Sequence, residues 1–235
     1  MFPLADEAHA GVRHGVMRQT PVKGIQPPQL PRQLALQEIG ALADHAEYTA
    51  LRLAKGDFTG QIAADVLFEQ VEISRTVFQV SRLTSARLFD VRAVTCDFSG
   101  ADWWGARFRR VELVGCRLSG VQLVEAHLDD ILFRDCTLES AVFASAVFKA
   151  ARFEACVLRG ALFDGADLRG VTFARCDLTN ADLQGANLRG ADLRGSLLDG
   201  LRIGSQDLQG AIIDPSQAVQ VAGLLGLTVK APEEA

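Results

Sequence analysis

The sequence predicts an all-β solenoid, a rod of short extended segments wound into stacked square coils. Three observations carry this. Between Leu51 and Ile213 a large apolar residue recurs at every fifth position, as in Phe98, Trp103, Phe108, Leu113, Leu118, Leu123, Leu128 and Phe133; stepping back to Leu53, only Ala63 and Ala93 interrupt the run. Two residues before each centre stands a small or β-branched residue, such as Ala101, Ala106, Val111, Val121 or Ala126. All five cysteines (Cys96, Cys116, Cys136, Cys156 and Cys176) occupy that small position, at intervals of twenty.

Each observation has a physical reading. Apolar residues two apart point to one side of an extended segment, because successive side chains alternate faces. Of the 21 glycines, 13 fall two residues after a centre, where a turn can take positive φ at little steric cost. A unit is thus a short extended segment followed by a corner. One unit cannot bury its own apolar pair, so units must stack. Thr76 and Ser196 continue the cysteine column. A small column recurring every twenty residues places four units in each turn. Stacked coils bring the cysteine Cα atoms to about 4.8 Å, nominally within disulfide range, but parallel side chains would strain a bridge. The thiols are expected as small hydrophobes of the core, and no histidine joins the column to make a metal ladder.

Taken in order, residues 1–48 form an irregular leader and N-terminal cap. Pro21, Pro27, Pro28 and Pro31 break up residues 1–34, and His9 and His14 lack metal-ligating partners. Residues 33–45 fit a short amphipathic helix that would cover the first coil. Residues 49–213 are the rod. In its first part Leu67, Val77 and Phe89 stand at outward positions, either packed beneath the N-terminal segment or free for a partner. Further along, Trp104, Val124, Val142 and Leu162 fall on one outward face where charges are expected, and such apolar patches mark interaction sites. The alternative is scattered surface hydrophobes, common on any protein. Another face carries Arg109, Lys149, Arg169 and Arg189 with Asp129, a mixed-charge surface. Residues 214–235 start a helix with Asp214 as N-cap and Pro215 at its first position, with a short strand at 227–229 and a solvated tail.

Over Ala161–Gly195, where units read ADLQG, ANLRG and ADLRG, the chain resembles the pentapeptide-repeat family. That resemblance implies a right-handed quadrilateral β-helix, of about eight coils for the 33 centres from Leu53 to Ile213. The stretches RCDLTNADLQGANLRGADLRG (Arg175–Gly195) and DLQGAIIDPSQAVQVAGLLGLTV (Asp207–Val229) look like the Qnr-type and MfpA-type quinolone-resistance branch. With no insertion between Cys96 and Gly200, the likeness is greater to the loop-free MfpA type. In that branch the C-terminal helix joins two rods end to end, and the acidic dimer mimics duplex DNA to engage DNA gyrase or topoisomerase IV. Carried over, the resemblance makes Ile212, Ile213, Val219, Val221, Leu224 and Leu225 candidates for a homodimer contact. It makes Asp167, Asp182, Asp192, Asp199 and Asp207 candidates for the DNA-like surface.

The functional reading is a non-enzymatic interaction protein. It is either a topoisomerase-binding DNA mimic that protects against quinolone-like poisons or a scaffold docking an unknown partner through the Trp104–Leu162 face. The sequence holds no P-loop, dinucleotide fingerprint, nucleophile elbow, HExxH or CxxC arrangement, so no catalytic residue, cofactor or metal is expected. The recurrent aspartates one position before a centre follow the repeat and are expected to be structural. His127, outward beside Asp129 and Asp130, makes no site alone. The net charge of −5 argues against direct nucleic-acid binding. Residues 161–214 carry eight acids and five bases, and residues 51–110 seven acids and nine bases, so joined C-termini would centre the acidic ends. Neither a signal peptide nor a membrane-length apolar run is found, and a cytoplasmic protein is expected.

Overall fold

Short extended segments whose alternate side chains are apolar can bury them only by winding around a shared axis, and the chain does so. The structure, a computed structural model, describes residues 24–230. It is a parallel β-solenoid of about seven regular turns. The strands are β1 (Ala35–Leu36), β2 (Glu47–Thr49), β3 (Leu51–Ala54), β4 (Leu67–Ser74), β5 (Arg87–Val94), β6 (Arg107–Val114), β7 (His127–Arg134), β8 (Val147–Glu154) and β9 (Thr172–Ala174). They stack in the order β1-β3-β4-β5-β6-β7-β8-β9, with β2 also on β4, and every pairing is parallel.

The register is the sequence period made visible. Arg52 pairs with Glu72, then Arg92, Glu112, Leu132, Arg152 and Thr172 follow, and isolated bridges continue to Asp192 and Ile212. Each step is twenty residues. The expected eighth coil is present but irregular: after Ile203 the chain passes through a run of turns before Ile212 rejoins the ladder.

Four flat faces result. Face one is centred on residues such as Ile73 and Phe153, face two on Phe78 and Leu118, face three on Trp103 and Leu123, and face four on Phe108 and Leu128. All these centres are buried, as are the small residues two positions before them. Inside the rod the aromatic centres stack directly: Phe133 on Phe153 at 4.7 Å and Phe153 on Phe173 at 5.0 Å between ring centroids. The five cysteines are free and buried. Thiol contact along the column and burial push Cys96, Cys136 and Cys176 up.

The corners required glycine less than the sequence suggested. Residues two after a centre take left-handed backbone whether or not they are glycine: Val80 has φ 47°, Arg110 54° and Ala150 51°. Each such non-glycine corner costs about 1–2 kcal/mol. The inter-coil ladder offsets the cost, because leaving that conformation would break hydrogen bonds to both neighbouring coils.

Two sequence expectations are corrected at the ends. Residues 33–45 do not form a helix. A helix satisfies its own backbone groups and would leave the edge of the first coil unpaired. The segment instead runs extended: β1 pairs with β3, Gln37 N–H donates to Arg52 O at 2.9 Å, and Leu42 inserts into the core while its N–H donates to Gln61 Oε1. Over its described part the leader is irregular and held against the rod. Gln26 and Gln29 donate backbone N–H groups to Asp130 and Asp90, so residues 24–34 run down the side of the rod. The rest of the leader, residues 1–23, lies outside the described residues, as does the tail at 231–235. No strand forms at 227–229: Leu227 N–H folds back to Ala222 O, Gly226 turns with φ 80°, and among the described residues no strand pairs with this segment.

The C-terminal helix α1 (Pro215–Leu224) forms as expected, with Asp214 as N-cap in a capping box with Gln217. It seals the rod. Gln217 is buried, and its Nε2 donates to the carbonyls of Leu193 and Ser196, both at 2.7 Å, which the missing next coil would otherwise have engaged.

Candidate protein-interaction surfaces

An outward side chain on a solenoid face is free unless a neighbour one coil away reaches it, so each candidate is judged by what stands at plus and minus twenty. On face three the apolar candidates do come together. Gly105 N–H donates to Val124 O and Glu125 N–H to Ala144 O, both at 2.9 Å, which puts Trp104, Val124 and Ala144 in one outward column. Gln122 bridges to Val142 and Val142 to Leu162, forming the second column of the same face. Trp104 is 47% exposed and Leu162 40%; Val124 and Val142 are half-buried. Among these six outward positions none is charged. Ion pairs bound the patch at both ends, Arg82–Asp102 at 3.5 Å on one side and Arg202–Asp182 at 3.2 Å on the other. Coils about 4.8 Å apart make it roughly 15 Å long. Most corners beside it (Gly105, Gly120, Ser140, Ser145 and Gly160) are small, and Glu125, beside Val124, is the large charged one.

The backbone at Trp104 is fixed by the turn it follows. Its N–H donates to Asp102 Oδ1 at 3.1 Å, while the adjacent Trp103 fills the core between Phe98 and Phe108. Sequence reasoning missed Ile62, exposed at the lower end of this face, because Ala63 beside it breaks the repeat pattern.

The acidic candidates are arranged differently. They do not share a face: Asp167 and Asp207 stand on face four, Asp182 on face three, Asp192 on face one and Asp199 on face two. Most are already engaged. Asp192 Oδ1 accepts the backbone N–H of Arg194, two residues on, at 3.1 Å, and its carboxylate pairs with the Arg194 guanidinium at 2.7 Å. Asp167 does the same with Arg169. Asp182 takes the Gln184 N–H and pairs with Arg202. These contacts hold the Asp167 and Asp192 carboxyls below the usual carboxylate range, chiefly through the arginine hydrogen bonds. Asp207 accepts N–H groups from Gly185 and Gly204, both at 3.0 Å. Asp199 has only a 3.4 Å contact from Gln220. The same turn-bridging bond recurs at Asp57, Asp97 and Asp177, so it is what the repeat uses its aspartate for.

The third set surrounds α1. Ile212, Val219 and Leu225 are exposed, the middle one by 55%. Ile213 and Leu224 are half-buried against the core. Val221 is turned onto the rod and is only 9% exposed, so it belongs to the seal and not to an outward contact. Leu197 and Leu227 add to the exposed apolar surface at this end. The mixed-charge column on face four is as expected: Lys149 pairs with Asp129 at 3.7 Å, and the Arg109 guanidinium lies 4.8 Å from the centre of the half-buried Phe89 ring. Leu67 is buried and Val77 half-buried. No helix among the described residues is long and apolar enough to cross a membrane.

Comparison with known proteins adds the following. Residues 86–163 match the model of the pentapeptide repeat region, and residues 156–195 match that of pentapeptide repeats in eight copies. Among solved structures the chain is similar to HetL, a pentapeptide repeat protein involved in heterocyst differentiation regulation from the cyanobacterium Nostoc. The identity is 22% over 72% of this chain and 87% of HetL, with a TM-score of 0.45. It is also similar to trypsin-treated QnrB1, a plasmid-mediated fluoroquinolone resistance protein, at 21% identity over 84% of this chain and 99% of QnrB1, TM-score 0.48. A pentapeptide repeat protein of the Arabidopsis thaliana thylakoid lumen is 24% identical over 40% of this chain and 65% of its own, TM-score 0.38. No curated protein sequence matches the chain.

Proposed function

We propose that this pentapeptide-repeat protein is a non-enzymatic interaction rod that docks a partner protein through face three, with Trp104, Val124, Val142 and Leu162 as the contact. One observation carries the reading: Trp104 and Leu162 are left exposed, with Val124 and Val142 half-buried between them, on a face whose six central outward positions are uncharged and which ion pairs bound at both ends. The ladder predetermines its shape, so docking orders little backbone, which favours affinity per unit area. Trp104 would be the anchor, since exposed tryptophans that become buried dominate interface energetics.

A second reading has the rod act as a homodimeric DNA mimic on DNA gyrase or topoisomerase IV. It is supported by the C-terminal resemblance and by the exposed Ile212, Val219 and Leu225 around α1, where two rods could meet end to end. Against it stands the engagement of Asp167, Asp182 and Asp192 by arginines, which leaves little free negative charge to stand in for phosphates.

A gyrase supercoiling assay, with and without a quinolone and at two salt concentrations, separates the two. Under DNA mimicry the chain inhibits supercoiling or rescues it from the drug, salt weakens the effect, and Asp182→Lys with Asp192→Lys abolishes it. Under face-three docking gyrase is unaffected, and Trp104→Asp is the substitution that removes partner binding. Gyrase inhibition lost in the lysine pair and kept in Trp104→Asp would reject the first reading.

A further inference from the structure

The described part of the leader is a ligand the rod holds against itself, and the geometry says of what kind. Gln26 N–H donates to Asp130 Oδ1 at 2.9 Å and Gln29 N–H to Asp90 Oδ1 at 2.8 Å. Asp90 and Asp130 are equivalent corners of face four, two coils apart. Between them stands Arg110, whose Nε donates to Asp90 Oδ1 at 2.6 Å. Asp90 is buried and the Arg110 side chain is 17% exposed.

The spacing is a match of two rulers. Two coil steps span about 9.6 Å. Three residues of polyproline II span about 9.3 Å, and its threefold repeat returns every third N–H to the same side. Gln26 and Gln29 are three apart, and the sequence between and beyond them is Pro27, Pro28 and then Pro31. Residues that precede proline are confined to extended backbone, so this stretch is set near that geometry before it docks. Other segments would have to lose that freedom on binding.

We propose that the corner column Asp90–Arg110–Asp130 is a docking track for extended, proline-containing segments with free amides three residues apart, and that residues 24–31 occupy it in cis. Its partner in trans is then a peptide of that chemistry, recognised through its backbone and its stiffness and not through its side chains. The cis occupant is favoured by its tether, which gives a weak contact a millimolar effective concentration.

The test uses the full chain and a labelled peptide carrying residues 24–36, read by fluorescence anisotropy. The variant Gln26→Pro with Gln29→Pro removes both latch amides, keeps the segment extended and leaves the track untouched. It is expected to bind the peptide at least about tenfold more tightly than the unaltered chain, the factor one lost hydrogen bond to a charged group is worth. Adding Asp130→Ala should return binding to the unaltered level. Alanine already holds this corner conformation one coil above, at Ala150, so the rod should fold, and an unchanged melting midpoint checks it. A peptide bound no better by the double-proline variant, or bound equally with Asp130→Ala, overturns the proposal.

Discussion

Face three between Trp104 and Leu162 and the acid-bearing end between Asp167 and Asp214 are built on the same ladder, yet they treat their outward side chains in opposite ways. At the acidic end almost every carboxylate has work within the rod: bridging its own corner, pairing with an arginine, or capping α1. On face three the apolar outward side chains of Trp104 and Leu162 are left exposed. The difference teaches how to read a repeat protein. Residues that obey the repeat are spent on the fold, however suggestive their charge. Trp104 and Leu162, which break it, are left exposed, whereas Leu67 and Leu132 break it and are buried.

The comparison makes graded predictions. The largest effect should come from the seal of the acidic end. Gln217→Ala removes a buried amide with two carbonyl partners and one half of a capping box, and should cost about 2–3 kcal/mol, read from urea denaturation. A value near zero would mean that α1 does not hold the last coil.

Acid should loosen the same region. Hydrogen bonds from the Ser216 hydroxyl and from the Gly195 and Gln217 amides lower the Asp214 carboxyl to about 2. A depressed carboxyl stabilises the fold above its unfolded value, roughly pH 4, and loses that contribution as pH falls through its folded value. The amides of Ser216 and Gln217 should therefore lose hydrogen-exchange protection between pH 4 and about 2. Protection that persists below pH 2 would remove Asp214 as the lock.

Asp192→Ala deletes a corner bridge and an arginine pair on a partly exposed group, and should cost about 1 kcal/mol. Trp104→Ser should change stability by no more than about 0.5 kcal/mol, because that side chain is exposed in the free rod. Reversal of this order, with Trp104 costly and Asp192 silent, would collapse the contrast between the two surfaces.

The solenoid and its coil length were legible because the rod's physics has one period, and Cys96 to Cys176 print it in the sequence. The placement of Trp104 was legible for the same reason: the five-residue period puts it at an outward position beside the buried centre Trp103. The ends were not. Residues 33–45 have a helical pattern in isolation, and only the unpaired edge of the first coil pulls them into extended pairing. The arginine partner of Asp182 lies twenty residues away and reaches it only once the coils are stacked, and that of Asp192 lies two residues on, across a corner whose shape the sequence does not print. Val221 and Val219 look alike on a helix, but only the first meets the rod. The strap was hidden for a different reason: prolines mark a stretch as irregular without saying what it lies against.

The most direct test of the contrast is photo-crosslinking in the native cell, with p-benzoylphenylalanine replacing Val124 on face three in one strain and Asp192 in another. The account predicts a discrete protein adduct from Val124 that Trp104→Asp abolishes, and none from Asp192. An adduct from Asp192 alone would contradict it and return the acidic end to the role of binding surface.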